Sequence, residues 1–561
     1  MQLIECVPNI SEGRDPVVIK AITDVVETVD GVRLLDVDPG NATNRTVITF
    51  VGEPEAVVEA AFRLIKKASE LIDMSKHSGE HPRMGATDVC PMVPISNISM
   101  EETASYAHKL GERVGAELDI PVYFYENAAK SADRQNLAVV RAGEYEGLKN
   151  KLTDPASKPD CGPAAYDKAR TTGATAISAR DFLVAYNINL NTTSTRRANA
   201  IAYDVREKGR VAREGGVLSG KKIVDENGND VWTPGTLTSV KAIGWFIEEY
   251  GVAQISMNLT NINTCSIHKA FDEVERCATN RGIRVTGSEL VGLVPLSSIL
   301  DAGKHYLRKQ QRSTGIAESE IIKIAVKSLG LDELAPFKPE ERIIEYMLNA
   351  EKSDQLVDMT LTDFADETAS ESAAPGGGSI SAYVGVLGVS LGTMVANLSA
   401  HKAGWDSRWD EFSEWAIKGQ AYKSELNRLV DEDTNSFNKI MDAFRLPKGT
   451  EEEIAARKKA ISDATKYAIE IPFKVMETAY NSMEVNKAMA EFGNPNSVTD
   501  AGVGALCART AVMGAFMNVK INCKDLDDKA YVDDIISRGQ EIQDKAQAME
   551  TVIVEITNSK I

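Results

Sequence analysis

Two periods of hydrophobicity divide the chain. Up to about residue 287 apolar positions cluster in short runs between turn residues, whereas beyond residue 379 they recur at three- and four-residue spacing. Residues 32–37 and 45–51 are rich in Val, Ile, Leu and Thr and read as strands, with Asp38-Pro39-Gly40-Asn41 as the turn between them. Pro54-Glu55 opens an amphipathic helix: Val57, Ala60, Ala61, Ile65 and Leu71 fall near helical spacing, and Lys66 and Lys67 occupy the other face. Further strands are predicted over 89–95 and 121–125, with a helix between them from about Met100. This is a layered α+β unit with its helices on one side of the sheet.

A second series follows: a strand over 182–190, a helix over 196–208, strands over 243–246 and 252–259, a helix over 266–279 and a strand over 283–287. Within it, residues 214–234 are rich in Gly, Lys, Asp and Asn and read as a flexible surface insertion. Two sheet-bearing units joined near residue 180 would leave a cleft of the kind that holds ligands. Leu334-Ala335-Pro336-Phe337-Lys338-Pro339 breaks the periodicity, and strand signals end there. Helices are predicted over 379–399, 407–444, 451–486, 498–521 and 532–556, forming a bundle. The expected domains are therefore 1–180 and 181–330, a linker over 331–352, and an all-helical domain over 353–561.

Composition narrows the class. A chain of 561 residues exceeds the size at which one core stops growing. Its 63 basic and 82 acidic residues give a net charge of -19, which argues against a broad nucleic-acid footprint. Seven cysteines without CxxC spacing fit a reduced, cytoplasmic chain, and the N-terminus lacks a basic region followed by an apolar run. Residues 380–399 are long enough to span a bilayer and contain Gly388-x-x-x-Gly392. Ser381, Ser390, Thr393, Asn397 and Ser399 dilute that apolarity, so a buried helix approached closely by a neighbour is the expectation, with no membrane partner.

Candidate chemistry concentrates in His77-Ser78-Gly79-Glu80-His81-Pro82-Arg83-Met84-Gly85-Ala86-Thr87-Asp88. His77-x-x-Glu80-His81 matches an inverted zinc-hydrolase pattern, which needs a helix to bring both imidazoles to one face. Gly79 and Pro82 oppose that helix, because proline pushes the residue before it out of the helical region. An imidazole in such a loop, with an acid before it and an arginine two residues on, suits acid/base work on an anionic substrate. Two surface-loop histidines without a role are the bland alternative.

The phrases Glu5-Cys6-Val7-Pro8-Asn9-Ile10-Ser11-Glu12-Gly13, Asp36-Val37-Asp38-Pro39, Thr43-Asn44-Arg45-Thr46-Val47 and Gly79 to Gly85 closely resemble the glutamate formimidoyltransferases. The similarity continues through Asn187-Ile188-Asn189-Leu190 and Gly287 to Pro295. A second block, Ala374-Pro375-Gly376-Gly377-Gly378-Ser379, Leu429-Val430-Asp431-Glu432-Asp433 and Asn518 to Asn522, resembles the cyclodeaminase half of the bifunctional animal family.

The resemblance implies two ferredoxin-like α+β subdomains followed by a helical cyclodeaminase. It also implies transfer of the formimino group from formiminoglutamate to tetrahydrofolate, then ring closure to methenyltetrahydrofolate with release of ammonia. Tetrahydrofolate, with or without a polyglutamate tail, would be a co-substrate, no metal is expected, and a cytoplasmic, dimer-based homo-oligomer is implied. A folate-binding scaffold without turnover is the other alternative beside the zinc hydrolase.

His81 matches the family's catalytic histidine, and Asp38 its active-site carboxylate, although Asp is also common in turns. Arg45 and Arg83 suit carboxylate clamping, since a guanidinium presents a planar fork to two oxygens, or are solvated cations. By resemblance 162–173 and 235–244 match folate-contacting stretches, bringing in Gly162, Pro163, Gly173, Gly235 and Gly244; extra residues between Pro163 and Gly173 depart from the family pattern. Gly376, Gly377 and Gly378 precede the small-residue helix and would let its N-terminus approach a flat ligand or phosphate. They lack the Gly-Lys-Ser/Thr of a nucleotide loop. Asp433 aligns with the cyclodeaminase acid, whereas a run like Asp431-Glu432-Asp433 would otherwise read as solvated helix charge.

Overall fold

The structure is a computed structural model that describes residues 2–40, 44–78, 82–216, 220–349 and 355–561. It divides into two compact units, 1–295 and 296–561.

The first unit opens with β1 (Leu3–Cys6) and β2 (Asn9–Ile10), followed by β3 (Val32–Gly40), β4 (Arg45–Gly52), β5 (Thr87–Ser96), β6 (Val122–Glu126) and β7 (Thr175–Ala179). β1 and β2 both pair with β4 on one side and β5 on the other, so they act as one strand interrupted at Val7-Pro8. β3 pairs with β4 at one edge, and β7 joins β5 to β6 through parallel ladders. Ile4, Cys6, Ile48, Phe50 and Phe124 belong to the core beneath the helices Pro54–Leu71 and Met100–Glu117. Side chains alternate across a strand, so Glu5, Arg45, Val47 and Val51 face the other way. The Ser99 hydroxyl and the Glu102 carboxylate form a reciprocal capping box at the start of Met100–Glu117.

The predicted turn at Asp38-Pro39-Gly40 is instead the end of β3, in register with Val47, Thr46 and Arg45. β3 is an edge strand, where a proline without an N–H costs no ladder bond. Cross-strand partners share a face, so Asp38 lies on the same open face as Val47 and Arg45.

The second sheet has β8 (Val184–Leu190), β11 (Val240–Ile247), β12 (Val252–Leu259) and β13 (Val285–Val291) in the antiparallel order β11-β12-β8-β13. Between them, β9 (Arg210–Val211) and β10 (Trp232–Thr233) pair at the base of the predicted insertion. Bridges Arg213–Lys222 and Val224–Asp230 continue it as a ribbon, closed by Asp225 accepting the backbone N–H groups of Asn227 and Asn229. The insertion is therefore built as a β-ribbon where a flexible loop was expected.

The second unit begins earlier than the expected linker. Helices Leu296–Lys309 and Glu318–Leu329 pack on each other at Gly303, and Gly315, between them, lies so close to Ala416 that a Cβ there would sit 2.4 Å from the alanine methyl. Thr314 donates its N–H to the Ser413 hydroxyl at 3.0 Å, and Asn397 and Gln420 donate to the Gly315 carbonyl. These contacts fasten 296–331 to the helical unit, whereas the sequence suggested a division over 331–352. That stretch holds two further short helices, Pro339–Arg342 and Ile344–Asn349.

The bundle comprises Gly377–Ala400, Trp409–Arg445, Glu451–Phe492, Val498–Asn522 and Lys529–Asn558. A Cβ at Gly388 would lie 2.8 Å from the Gly504 carbonyl, which is the close helix approach expected of the small-residue stretch. Gly377–Ala400 and Pro495–Asn522 are long and apolar enough to cross a membrane by length and composition, yet 61% and 50% of their apolar windows are buried inside the protein.

Candidate functional site

The first site grows from the β3–β4 edge and the segment leading into β5. Asp38 is exposed on the open face, opposite Val47 in the β3–β4 ladder. Arg45, two residues from Val47 on the same face, ion-pairs with Asp88 through Nη1 and donates Nε–H to Asn9 at 3.1 Å. Asp88 is fully buried; it also accepts Arg141 Nη2 at 2.8 Å and the Met84 N–H at 2.9 Å. Burial depresses the Arg45 pKa, Asp88 opposes that, and Arg141 adds to it.

His81 and Glu80 lie outside the described residues, so the site is built from their neighbours. His77 accepts the Arg83 Nε–H at Nδ1 (3.2 Å), which leaves Nε2 to donate to the Asn44 carbonyl at 3.0 Å. Burial lowers the His77 pKa, with Asn44 opposing and Arg83 reinforcing, so the ring is held neutral in one tautomer. His77 closes the 3-10 turn Met74–Lys76 in extended backbone (φ -77°, ψ 137°). Neither the helix nor the free ring nitrogen required by the zinc-hydrolase pattern is present at His77.

Arg83 is not a free clamp. Its two Nη atoms reach both Glu146 oxygens at 2.9 and 2.7 Å, and Glu144 lies at 3.4 Å. Together with His77, Ser78 and Gly143 these side chains line a cavity of about 570 Å³. The Asn44 side chain ties the edge together, accepting the Gly13 N–H and donating to the Ser78 carbonyl, both at 3.0 Å.

The glycines of the expected folate stretches have packing work to do. Gly173 (φ 68°) would place a Cβ 2.3 Å from the Met84 carbonyl, and its neighbours Thr172 and Ala174 bond to Ala86 and Met84. This contact fixes the chain that carries Arg83. Gly162 (φ 80°) presses on the Ile120 carbonyl, with Pro163 half-buried beside it. Gly235 lies against the Arg206 carbonyl. Gly244 is bracketed by Asn199, which donates to its carbonyl at 2.8 Å and accepts its N–H at 3.0 Å. The bare side of Gly244 thus faces the helix Thr195–Val205.

Three roles here escaped the sequence reading. Asp88 closes the candidate stretch without a role of its own and Arg141 stood apart from it, because their pairing spans 53 positions. Glu5 left a trace, as the one acid in Leu3-Ile4-Glu5-Cys6-Val7. It is 5% exposed on the face away from the helices, and burial pushes its carboxyl up to about 7 against the pull of Arg180.

A folded pKa above the unfolded value of about 4.3 means that Glu5 adds stability that is complete below pH ~4.3 and lost as pH rises through about 7. Glu5→Gln is therefore expected to stabilise the protein by up to about 3 kcal/mol at pH 8 and not at pH 4. Denaturant unfolding at the two pH values measures this. A variant less stable at pH 8 would mean that the carboxylate is ionised and well paired.

The second site lies where Gly377–Ala400 meets Trp409–Arg445. Asp433 accepts the Ser379 N–H at 2.9 Å and lies 3.2 Å from its hydroxyl. A Cβ at Gly378 would sit 2.1 Å from the Asp433 carboxylate, so only glycine admits the acid to the helix N-terminus. Gly376, Gly377, Gly378, Asp433, Asn518 and Asn522 share a cavity of about 150 Å³. Burial raises the Asp433 pKa, partly offset by the Ser379 bonds.

The acidic run is not a solvated stripe. Asp431 accepts the Leu356 N–H at 2.7 Å, Glu432 pairs with the Tyr467 hydroxyl, and Asp433 alone enters the glycine-lined cavity. Among the described residues no group of three His, Cys, Asp or Glu could hold a metal.

Three family models match the chain in order. They are the formiminotransferase domain, N-terminal subdomain, over residues 3–180; the formiminotransferase domain over 185–349; and formiminotransferase-cyclodeaminase over 360–541. The chain is 41% identical to the formimidoyltransferase-cyclodeaminase of Mus musculus, covering 99% of this chain and 98% of that protein. It is 43% identical to that of Gallus gallus, covering 94% of each. The glutamate formimidoyltransferase of Thermoplasma acidophilum is 43% identical over 55% of this chain and 93% of its own length.

Proposed function

The chain belongs to the formiminotransferase-cyclodeaminase family, and we propose that it moves the formimino group of N-formimino-L-glutamate to tetrahydrofolate and then cyclises the product, as in histidine degradation. It is a bifunctional enzyme, a transferase joined to an ammonia lyase, with folate as substrate. The observation that carries this is the match of both modules, in one order, over nearly the whole chain to proteins named for both steps.

In the first step the tetrahydrofolate nitrogen attacks the amidine carbon and loses a proton, and glutamate's nitrogen leaves after gaining one. His81 takes the first proton and delivers the second, since an imidazole exchanges protons near neutral pH. Asp38, an exposed carboxylate on the same face as Arg45, faces the amidinium charge. In the second step N10 attacks the formimino carbon. The C–N bond breaks, and ammonia departs with one proton from N10 and one from Asp433, leaving the methenyl cation.

Mixing the protein with formiminoglutamate and tetrahydrofolate, and following methenyltetrahydrofolate absorbance with free ammonia, tests the whole scheme. Tight folate binding with neither product would select the scaffold alternative. No metal requirement, a cytoplasmic location and a dimer-based assembly belong to the same proposal; activity after chelation and sedimentation velocity address the first and last.

The transferase is proposed to extend to about residue 331. A fragment of residues 1–331 is expected to retain formimino transfer and lose cyclodeamination, and to be less stable over 296–331 than the full chain, because the buried Ser313-Thr314-Gly315 turn loses its hydrogen bonds to Ser413, Asn397 and Gln420. A folded but inactive fragment would move the boundary.

A further inference from the structure

Among the described residues, Arg45, Asp88 and Arg141 leave a charge unanswered. The side chains of both arginines are largely buried, at 10% and 14% exposure, and their shared carboxylate is completely so. Among the described residues Asp88 is the only acid within ion-pairing distance of either guanidinium, so two positive charges meet one negative charge. Arg141 Nε is buried without a hydrogen-bond partner among the described residues. A buried cation persists only where something pairs with it, and a guanidinium short of partners is poised for a planar anion.

The surroundings say which anion. Arg45 stands on the open face of β4, two residues from Val47, whose cross-strand neighbour is Asp38. Arg45 is thus the diagonal cross-strand neighbour of Asp38, and such positions lie about 7–8 Å apart, so a negative and a positive subsite stand near each other on one face. Formiminoglutamate has the complementary pattern: a cationic amidinium at one end and carboxylates a few bonds away. Asp88 also holds the Met84 N–H, which ties the arginine pair to the chain just after Pro82.

We propose that Arg141, with Arg45 on the common Asp88 strut, forms the subsite for a carboxylate of formiminoglutamate, and that Arg141 completes the charge balance of the site only when this substrate is bound. The inference rests on the transferase reading above and adds to it the residue that recognises the donor. Arg83, already closed on Glu146, is left to organise His77 and the loop.

Arg141→Met tests this in the full-length protein. Loss of a charge-assisted carboxylate contact is expected to raise KM for formiminoglutamate roughly ten- to a hundredfold while leaving KM for tetrahydrofolate within about twofold. Cyclodeamination of supplied 5-formiminotetrahydrofolate should be unchanged. Glutarate, the bare dicarboxylate, should raise the melting temperature of the parent and not of the variant. Ligand-free stability should change little, because the substitution removes one of two cations that share Asp88 and leaves that carboxylate its Arg45 and Met84 N–H partners.

A rise in KM for tetrahydrofolate instead would assign the arginine to the folate glutamyl group and overturn the proposal, as would an unchanged KM for the donor. A destabilised variant with intact glutarate binding would give Arg141 a purely structural role. Should Arg141→Met fail to fold, Arg141→Lys keeps the charge without the fork and is expected to show a smaller rise confined to the same KM; no rise would again overturn the inference. A parent enzyme without formimino transfer would refute the transferase reading, whereas an active parent with an indifferent Arg141 variant refutes only this subsite.

Discussion

His81→Ala is expected to lower formimino transfer by about two to four orders of magnitude while sparing cyclisation of supplied 5-formiminotetrahydrofolate. The reaction passes one proton off the attacking nitrogen and another onto the departing one, and a single imidazole near neutrality can serve both. His77→Ala is the matched control. That ring is committed at both nitrogens, to Arg83 and to the Asn44 carbonyl, and burial keeps it neutral. Its loss should loosen Arg83 and cost less than a tenth of what His81 costs, a difference of roughly tenfold or more in kcat. Single-turnover transfer with each variant decides the matter. Transfer that survives His81→Ala and disappears with His77→Ala would put the base on the wrong imidazole.

The contrast between the two histidines marks how far the sequence could be read. Gly79 and Pro82 argued against a helix through the motif, and at its described start His77 ends a 3-10 turn in extended backbone, whereas residues 79–81 lie outside the described residues. The strands and helices around it were legible because hydrophobic period and turn chemistry act locally. Asp38-Pro39-Gly40 misled for a positional reason: the same residues serve a turn or an edge strand, and only the pairing with β4 distinguishes them.

Partnership was less legible than position. Arg83 read as a substrate clamp because a guanidinium presents a planar fork to two oxygens; the carboxylates that occupy that fork lie at Glu144 and Glu146, some 60 residues on. Arg45 meets Asp88 and, through it, Arg141, in a set assembled by the sheet. Counting charge over the whole chain, at -19, gave no hint of a local excess of positive charge. The division of the chain after Pro295 was likewise invisible, because a helix carries no label saying which neighbour will bury its apolar face.

The acidic run at 431–433 shows both sides of this. Helical geometry turns residues two apart by about 200°, so Asp431 and Asp433 had to diverge. The structure turns Asp431 to the Leu356 N–H and Asp433 to Ser379 and the glycine-lined cavity.

Asp433→Asn is accordingly expected to uncouple the two steps, with 5-formiminotetrahydrofolate accumulating and cyclodeamination falling by about two orders of magnitude or more. The amide preserves size and can still accept the Ser379 N–H, yet it cannot deliver a proton to a departing nitrogen. Burial raises the carboxyl's pKa, and the raised value keeps a larger protonated fraction near neutral pH than an ordinary aspartate would have. Only the protonated form acts as the acid, so the parent's cyclodeamination rate should fall as pH rises through the Asp433 pKa, and that limb should be missing from the residual activity of the variant. Asp431→Asn supplies the comparison: it disturbs the 356–358 turn and should weaken stability more than turnover, leaving the pH limb in place. Intermediate accumulation and ammonia release, followed between pH 6 and about 9 for the three proteins, measure the outcome. If the Asp433 variant cyclised at the parent rate while Asp431→Asn stalled and lost the limb, the proton would come from the other carboxylate and the glycine-lined cavity would not be where ammonia leaves.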